Sequence, residues 1–416
     1  MSSCNLNDFP DLGNALNMLS LDLSNNHLRG DIPRWIWGNK KDYLDLSFNL
    51  LAGLKKPHIS PNFSNSIVLL VNNRLTGKIP TSICNASSLR VLDLSFNNLS
   101  GSIPPCLINK NLVSRVVNLR GNKISGVILD QFSRECILQT YDVSNNNLGG
   151  KIPKFQGGLR CSKSWPNLQI LDISSNEFNG RLNVLNFSSL SPTHVRLNRS
   201  NSNILGDGSY YQNEVNLTVK GIAVKLVKIW PDFTCIDLSS NRFKGEIPDA
   251  IGNLTSLYLL NLSHNSLSYA IPRSSGALAD LGSLDLSSNK LTGRIPDELT
   301  KLSFLSFLNV SYNHLTGPIP TGRQFQTFTE DSYVRNSELS GLPLTGSFNN
   351  RRPPAPSPSD DSESKDEEIK WEYVFAAFGY FVGFRSIAWT LICCINLRER
   401  YFEEVEEVVD RIFYER

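Results

Sequence analysis

Side chains that could act as nucleophiles, bases or metal ligands are present in the sequence, but they do not gather into a site. The five histidines lie far apart, with no Ser/His/Asp pattern and no Gly-rich phosphate loop beside them. Apart from the doublet Cys393-Cys394, the eight cysteines occur singly, which argues against a zinc module. These residues predict no catalytic, cofactor-binding or metal-binding site, so we expect that the chain is not an enzyme.

The sequence also contains candidate sites for N-linked glycosylation. Nine asparagines lie in Asn-x-Ser/Thr sequons. Asn261 and Asn309 stand between two leucines of predicted strands, on a surface where a glycan would block ligand binding. We predict glycosylation at four sequons that lie away from that surface: Asn62, Asn85, Asn186 and Asn253.

A further set of asparagines recurs along the chain. Consecutive asparagines of this set are mostly 23 to 25 residues apart, and two of the intervals are longer, at 30 and 65 residues. Because a buried amide offers both donors and acceptors to backbone groups that a turn leaves unpaired, these asparagines predict an internal ladder. The eleven predicted ladder residues are Asn26, Asn49, Asn73, Asn97, Asn122, Asn146, Asn176, Asn241, Asn265, Asn289 and Asn313.

Each ladder asparagine belongs to one motif, LxLxxNxLxGxIP, as in LDLSFNNLSGSIP from Leu92 and LDLSSNKLTGRIP from Leu284. The leucines point inward from a short strand, glycine permits a tight bend, and Ile-Pro closes the core. One repeat cannot bury its own apolar edge, so stability must come from stacking. The pattern predicts an α/β-type solenoid: a right-handed, curved leucine-rich-repeat rod about 50 Å long with short parallel strands, followed by a single transmembrane helix.

Residues between and after the strand leucines face the predicted concave surface. Phe96, Arg120, His264 and Tyr312 are the candidates there for contact with a ligand. The net charge of +2, with 19% charged residues, shows no basic excess of the kind that favours nucleic acid, so no nucleic-acid partner is predicted.

Long stretches resemble the C-terminal portion of plant leucine-rich-repeat receptor-like proteins of the disease-resistance and wilt-resistance kind. The phrases SSCNLNDFPD, KGIAVKLVKIWPDF and FLSFLNVSYNHLTGPIPTGRQFQTF carry this resemblance. It implies about seven plant-type repeats over 1–180, an island insertion over 181–233 and the last four repeats over 234–320. A degenerate C-terminal cap follows over 321–350, with Ser340 where the family has a cysteine.

The island region is polar first and then alternates through Val215, Leu217 and Val219, which predicts a hairpin. By resemblance, Tyr210, Tyr211 and Lys220 belong to a recurring island motif that contacts a ligand or partner. The alternative, that they only anchor the long loop on the solenoid, is equally open.

The last part of the chain changes character. Residues 351–370 form an acidic Pro/Ser-rich juxtamembrane linker, 373–397 a transmembrane helix of about 37 Å, and 398–416 a short cytoplasmic tail. Arg385 interrupts the apolar stretch, but the insertion energy of the other side chains outweighs it modestly. Small residues in one stripe predict a helix-pairing surface: Ala376, Gly379, Gly383 and Ser386.

The resemblance implies a kinase-less cell-surface receptor that recognises an extracellular peptide or pathogen-derived ligand. It would signal through an adaptor receptor-like kinase and a co-receptor kinase in plant defence or development. The first residues lack a signal peptide, so a plasma-membrane type I topology requires one in the full-length protein. Two alternatives stay open: a truncated inactive paralogue, and a protein-binding inhibitor resembling polygalacturonase-inhibiting proteins.

Overall fold

The structure is a computed structural model. It describes residues 1–12, 18–37, 42–54, 66–86, 88–107, 116–128, 138–152, 168–182, 215–219, 222–226, 233–322 and 324–344. The predicted juxtamembrane linker, transmembrane helix, cytoplasmic tail and helix-pairing residues lie outside these ranges.

The strand leucines build one long parallel sheet of eleven three-residue strands, which we call the first sheet. Each strand pairs with that of the next repeat in an unbroken order along the chain, as the periodicity predicts. Its strands are β1 (Ser20–Asp22), β3 (Tyr43–Asp45), β5 (Ile67–Leu69), β7 (Val91–Asp93), β9 (Val116–Asn118), β11 (Thr140–Asp142), β13 (Ile170–Asp172), β17 (Cys235–Asp237), β19 (Leu259–Asn261), β21 (Ser283–Asp285) and β23 (Phe307–Asn309).

A second parallel sheet, of twelve strands, follows the ladder asparagines and is called the second sheet. Its strands are β2 (Arg29–Asp31), β4 (Leu50–Gly53), β6 (Thr76–Lys78), β8 (Asn98–Gly101), β10 (Lys123–Gly126), β12 (Asn147–Lys151), β14 (Glu177–Gly180), β18 (Arg242–Gly245), β20 (Ser266–Tyr269), β22 (Lys290–Gly293), β24 (His314–Pro318) and β25 (Glu338–Ser340). The predicted hairpin is also present, formed by β15 (Val215–Val219) and β16 (Ile222–Leu226).

Regular helix in the described ranges consists of 3-10 turns rather than the α-helices that an α/β-type solenoid suggests. Ten residues separate Pro248 from the next strand at Leu259, and the proline begins the turn in an extended conformation, with φ −70°. The turns are Arg34–Trp37, Thr81–Asn85, Pro105–Leu107, Asp249–Asn253, Arg273–Ala277, Asp297–Lys301, Phe325–Thr327 and Glu330–Ser332. Within the described residues, no helix is both long and apolar enough to cross a membrane.

Each repeat, here called a coil, closes around its ladder asparagine. In one example, the Asn97 side-chain amide donates to the carbonyls of Leu70, Leu94 and Ser95 at 2.9, 3.1 and 3.1 Å. Its oxygen accepts the backbone N–H of Leu75 at 3.1 Å. All eleven predicted ladder residues make this set of bonds, and each amide therefore ties its own coil to the one before it.

The ladder extends beyond the eleven residues that the motif identifies. Asn336 donates to the carbonyls of Val310 and Tyr333, and it accepts the backbone N–H of Leu315 at 2.9 Å. At the other end Cys4 takes the ladder position, with its N–H donated to Asn26 at 3.0 Å. The stacking therefore continues into residues 324–344 and 1–12.

A disulfide joins two neighbouring coils. Cys84, in the turn after β6, bonds to Cys106, in the turn after β8, with their Cα atoms 5.5 Å apart. Among the described cysteines, Cys4 and Cys235 are free. The single spacing of the cysteines gave no indication of this pairing.

Replacing a ladder asparagine should destabilise the array far more than replacing an exposed asparagine of the same coil. Asn176→Ala would leave the buried Leu148 N–H without its acceptor and would remove one of the two amide donors to the Val143 carbonyl. We expect a loss of about 3 kcal/mol in the free energy of unfolding, measured by urea denaturation.

The matched control is Asn179→Ala, because Asn179 is exposed in β14. It should change stability by less than about 0.5 kcal/mol. Equal midpoints for the two variants would contradict the assignment of the ladder as the main polar support of the coils.

Candidate functional site

The acidic side chains of the first sheet have a structural role in the turn that follows each strand. Seven of its strands end in aspartate, and the carboxylate accepts bonds from the serine two residues on. Asp142, for example, accepts the N–H and the hydroxyl of Ser144 at 2.9 and 2.6 Å. This local bond turns the chain from the strand towards the ladder residue, so the recurrent Asp-x-Ser pattern has a structural reason.

Three of these aspartates lie side by side. The strand register pairs Asp142 with Asp172 and Asp172 with Asp237, and all three side chains are buried. Arg120, two residues after β9, reaches two of them, with its Nη1 3.9 Å from Asp142 Oδ2 and 3.6 Å from Asp172 Oδ2. The three carboxyl groups are called the acid row.

Burial raises the pKa of every member of the acid row. The pKa of Asp142 rises to about 8 through desolvation and the neighbouring Asp172 charge, against the lowering effect of Arg120. Desolvation and the Asp172 charge raise the pKa of Asp237 to about 7. Desolvation also raises the pKa of Asp172, with Ser174 and Arg120 acting in the opposite direction. The folded chain therefore holds protons here that an unfolded chain would release.

A row of left-handed residues lies between the first sheet and the ladder. The residue before each ladder asparagine has φ near +53°, and most are Asn, Ser or His. Three bulky aromatic residues break this pattern: Phe48, Phe96 and Tyr312, which are 47%, 41% and 54% exposed. We call these three the rim aromatics. A left-handed backbone costs a bulky residue about 1–2 kcal/mol, so their rings are exposed at an energetic cost.

Phe96 is the most organised of the rim aromatics. Its ring lies over Gly121, where an added Cβ would come within 2.9 Å of the Phe96 Cδ1 atom. The guanidinium of Arg120 is 5.9 Å from the ring centroid, within cation–π range. Arg120 thus lies between an exposed ring and the buried acid row.

The structure locates the ligand candidates named from the sequence. Phe96, His264 and Tyr312 share the left-handed row, and Arg120 stands one residue earlier in its coil. Sequence reasoning missed Phe48, whose place directly before Asn49 is the signal that would have found it. The island residues Tyr210, Tyr211 and Lys220 lie outside the described residues.

The sequons divide by exposure. Asn253 is exposed at the end of a 3-10 turn, and Asn85 ends another turn, while Asn62 and Asn186 lie outside the described residues. In contrast, Asn261 donates to Asp237 at 3.1 Å and accepts the N–H of Ser263, and its side chain is buried. The Asn309 amide oxygen is likewise bonded to Ser311.

The second sheet carries a charge pattern that total composition conceals. Within two residues of its strands, the described chain has ten exposed basic residues and four exposed acidic ones, Asp31, Glu177, Glu246 and Glu338. We call the ten the basic face: Arg29, Arg74, Lys78, Lys123, Lys151, Arg181, Arg242, Lys244, Lys290 and Arg294.

Over the part of the chain that the structure describes, no group of three His, Cys, Asp or Glu side chains has metal-binding geometry.

Comparison with known proteins gives a consistent assignment. Two family profiles, both for leucine-rich repeats, match residues 231–291 and residues 17–39 and 88–109. Receptor-like protein 53 of Arabidopsis thaliana is 36% identical over 306 residues, covering 63% of this chain and 32% of that protein. Receptor-like protein 33 of the same species is 36% identical over 432 residues, covering 92% of this chain and 49% of that protein. The chain spans about a third to a half of the length of these relatives.

Among solved structures, the ectodomain of the Arabidopsis receptor kinase HAESA aligns with a TM-score of 0.58 and 26% identity. The alignment covers 80% of this chain and 52% of that one. HAESA was crystallised there with an N-terminally extended IDA peptide hormone. The parallel-strand leucine-rich-repeat solenoid and the resemblance predicted from the sequence are both confirmed.

The acid row predicts a chain that is more stable in mild acid than at neutral or alkaline pH. Because the folded pKa values exceed the unfolded value of about 4, protonated carboxyls stabilise the fold fully below that pH. This contribution is lost as the pH rises through the folded values of about 7 and about 8. Thermal melting should therefore give a higher Tm near pH 5 than near pH 8.

Asp142→Asn should flatten this dependence, since an amide does not titrate. Asp297→Asn, in an exposed 3-10 turn, is the control and should leave the slope unchanged. A Tm that rises from pH 5 to pH 8, or an Asp142→Asn variant with the wild-type slope, would disprove a proton-holding acid row.

Proposed function

The chain is a relative of the plant leucine-rich-repeat receptor-like proteins, and on that premise we propose that it is a kinase-less cell-surface receptor. Its repeats bind an extracellular peptide or pathogen-derived ligand. The signal passes through an adaptor receptor-like kinase and a co-receptor kinase, in plant defence or development. The observation that carries the proposal is the set of exposed rim aromatics in left-handed backbone.

The rim aromatics have no evident role in the core. Asparagine, serine and glycine serve the same turn elsewhere in the array, as at Asn72, Ser240 and Gly121, without a large side chain. A residue kept in an unfavourable conformation with an exposed ring favours a functional interpretation. Aromatic side chains are also the ones most often found at the energetic centres of protein interfaces.

The nature of the ligand follows from the neighbourhood of Phe96. The ring offers apolar surface, and the Arg120 guanidinium beside it is already 3.6 Å from the Asp172 carboxyl group, so a free anion gains little there. A peptide with an aromatic or aliphatic side chain fits this surface best. The peptide hormone bound by HAESA supports the same ligand class for a solenoid of this kind.

The Cys84–Cys106 disulfide supports an extracellular position for the repeats, because disulfides persist in oxidising compartments. We therefore place the repeats outside the plasma membrane, with 373–397 as the single span and the C-terminus in the cytosol. A signal peptide in the full-length protein would direct this type I topology. Ala376, Gly379, Gly383 and Ser386 would then form the surface for pairing with the adaptor kinase.

A photo-crosslinking experiment tests ligand binding at the rim. The full chain is expressed with a secretion signal and with p-benzoylphenylalanine in place of Phe96, then irradiated with extracellular fluid from challenged plant tissue. We expect a specific adduct because this ring points to solvent beside the ligand surface. Mass spectrometry identifies the adduct.

Phe304 provides the matched control. Its ring is 66% exposed on the turn before β23, away from the left-handed row. Crosslinking at both positions alike, or at neither, would argue against a ligand site at the rim. An adduct with a secreted hydrolase would instead favour the inhibitor alternative.

Glycan mapping tests the proposed topology. In plant cells, Asn253→Gln should remove the mass of one glycan, since Asn253 is an exposed sequon residue. Asn261→Gln should remove none, because the Asn261 amide is buried and bonded to Asp237. If an endoglycosidase leaves the mass of the wild-type chain unchanged, the repeats are not exported and the cell-surface proposal fails.

A further inference from the structure

The charges of this protein are segregated by surface. The chain as a whole carries a net charge of only +2, yet the basic face has ten cations against four acids. The 3-10 turns are mixed in sign, since they carry the cations Arg34, Arg273 and Lys301 and also the acids Asp249, Asp297 and Glu298. Like charges on neighbouring strands repel one another, so such a face reduces stability unless an anion covers it.

Several cations of the basic face are held in place by glycines. A Cβ added at Gly101 would lie 2.8 Å from the Lys78 Cγ, and one at Gly317 would lie 3.2 Å from the Arg294 Cγ. The glycine of one coil therefore leaves room for the aliphatic stem from the preceding coil. Since the stems lie against the backbone, the charged groups are carried at regular intervals along the array.

Ion pairing among described residues leaves most of this charge unbalanced. Arg242 is paired with Glu177 at 3.2 Å, and none of the other nine members has an acidic side chain within 4 Å in the described chain. Coils are about 4.8 Å apart, so the face extends roughly 50 Å along the second sheet. A long, narrow row of cations suits a linear polyanion better than a globular partner.

Tyr269 stands within this face as a conformational exception. Ten coils have a glycine with φ between +77° and +99° at this point in the second sheet, as at Gly245 and Gly293. Tyr269 has φ +69° and is 66% exposed, on the strand between those that carry Lys244 and Lys290. An aromatic ring kept at a position that favours glycine indicates a contact that the fold itself does not require.

We infer that the basic face around Tyr269 binds a linear acidic polysaccharide, with uronate carboxylates on Lys244, Lys290 and Arg294 and a sugar ring on Tyr269. This goes beyond the proposed function, since it uses the second sheet and not the rim aromatics. A single-stranded nucleic acid would need several stacking rings, and within the described strands of the second sheet Tyr269 is the one exposed aromatic residue. The disulfide supports an oxidising compartment for the face, outside the cytosol and nucleus, and this favours a polysaccharide over a nucleic acid as the polyanion.

The test uses the full chain in non-ionic detergent and de-esterified oligogalacturonate as the probe. The fully methyl-esterified oligomer has the same backbone without charge and serves as the neutral comparison. We expect binding of the acidic form only, weakening as salt is raised because exposed charges are screened within about 10 Å at 0.1 M. The triple variant Lys244→Gln, Lys290→Gln and Arg294→Gln should bind at least about tenfold more weakly.

Tyr269→Gly separates recognition from folding. It should weaken binding while leaving the Tm unchanged or raised, because glycine suits this backbone. Tyr269→Phe should retain binding, since a ring is sufficient for stacking. Phe96→Ala, at the rim, should also leave oligogalacturonate binding intact.

The control triple variant, Arg34→Gln, Arg273→Gln and Lys301→Gln, removes the same charge from the 3-10 turns and should bind as the wild type does. An equal loss in both triple variants would overturn the inference, as would equal binding of the esterified oligomer. Equally effective competition by duplex DNA, or no binding at low salt, would overturn it as well.

Discussion

The rest of the structure depends on one side-chain amide per coil. A ladder asparagine donates to three carbonyls and accepts one N–H at the turn out of the first sheet, as Asn97 does for Leu70, Leu94, Ser95 and Leu75. These groups are buried, so a backbone N–H that lost its asparagine acceptor would pay its full desolvation cost. The bonds to the preceding coil also set the distance between coils. Parallel pairing in both sheets follows from that spacing.

This constraint also explains why function is arranged in rows. Every coil repeats the same backbone, so a given position in the motif recurs at one spacing along one surface. Buried carboxyls accumulate on the first sheet, left-handed residues at its rim, and cations on the second sheet. The exposed rows can change with little effect on the coil, since the buried leucines and the asparagine hold it together.

Much of this architecture could be predicted from the sequence, because the motif links local chemistry to geometry. Leucine and asparagine at fixed offsets specify both the first sheet and the eleven ladder residues. Asn336 was not predicted as a ladder residue because one extra residue separates it from Leu339, so the motif does not match there. Its distance from Asn313 is nevertheless a normal period. The 3-10 turns were not predicted because their sequences share little beyond the proline that precedes them.

Other features could not be predicted from one-dimensional patterns. The basic face draws its members from variable motif positions, and acidic residues elsewhere in the chain cancel them in the total charge. The carboxyl groups of the acid row are neighbours because strand pairing brings β11, β13 and β17 together across the long gap between repeats. The rim aromatics look ordinary in sequence, and only their left-handed backbone marks them.

The Cys84–Cys106 bond affects how such an array comes apart. In a stacked array each coil is supported only by its neighbours, so loss of order travels inward from an end one coil at a time. A covalent link between adjacent turns makes the coils of Asn73 and Asn97 open together or not at all. Unfolding that starts at the N-terminal end therefore reaches a step in free energy at these two coils, because both must open at once. Coils on the two sides of that step should exchange their amide hydrogens at different rates under native conditions.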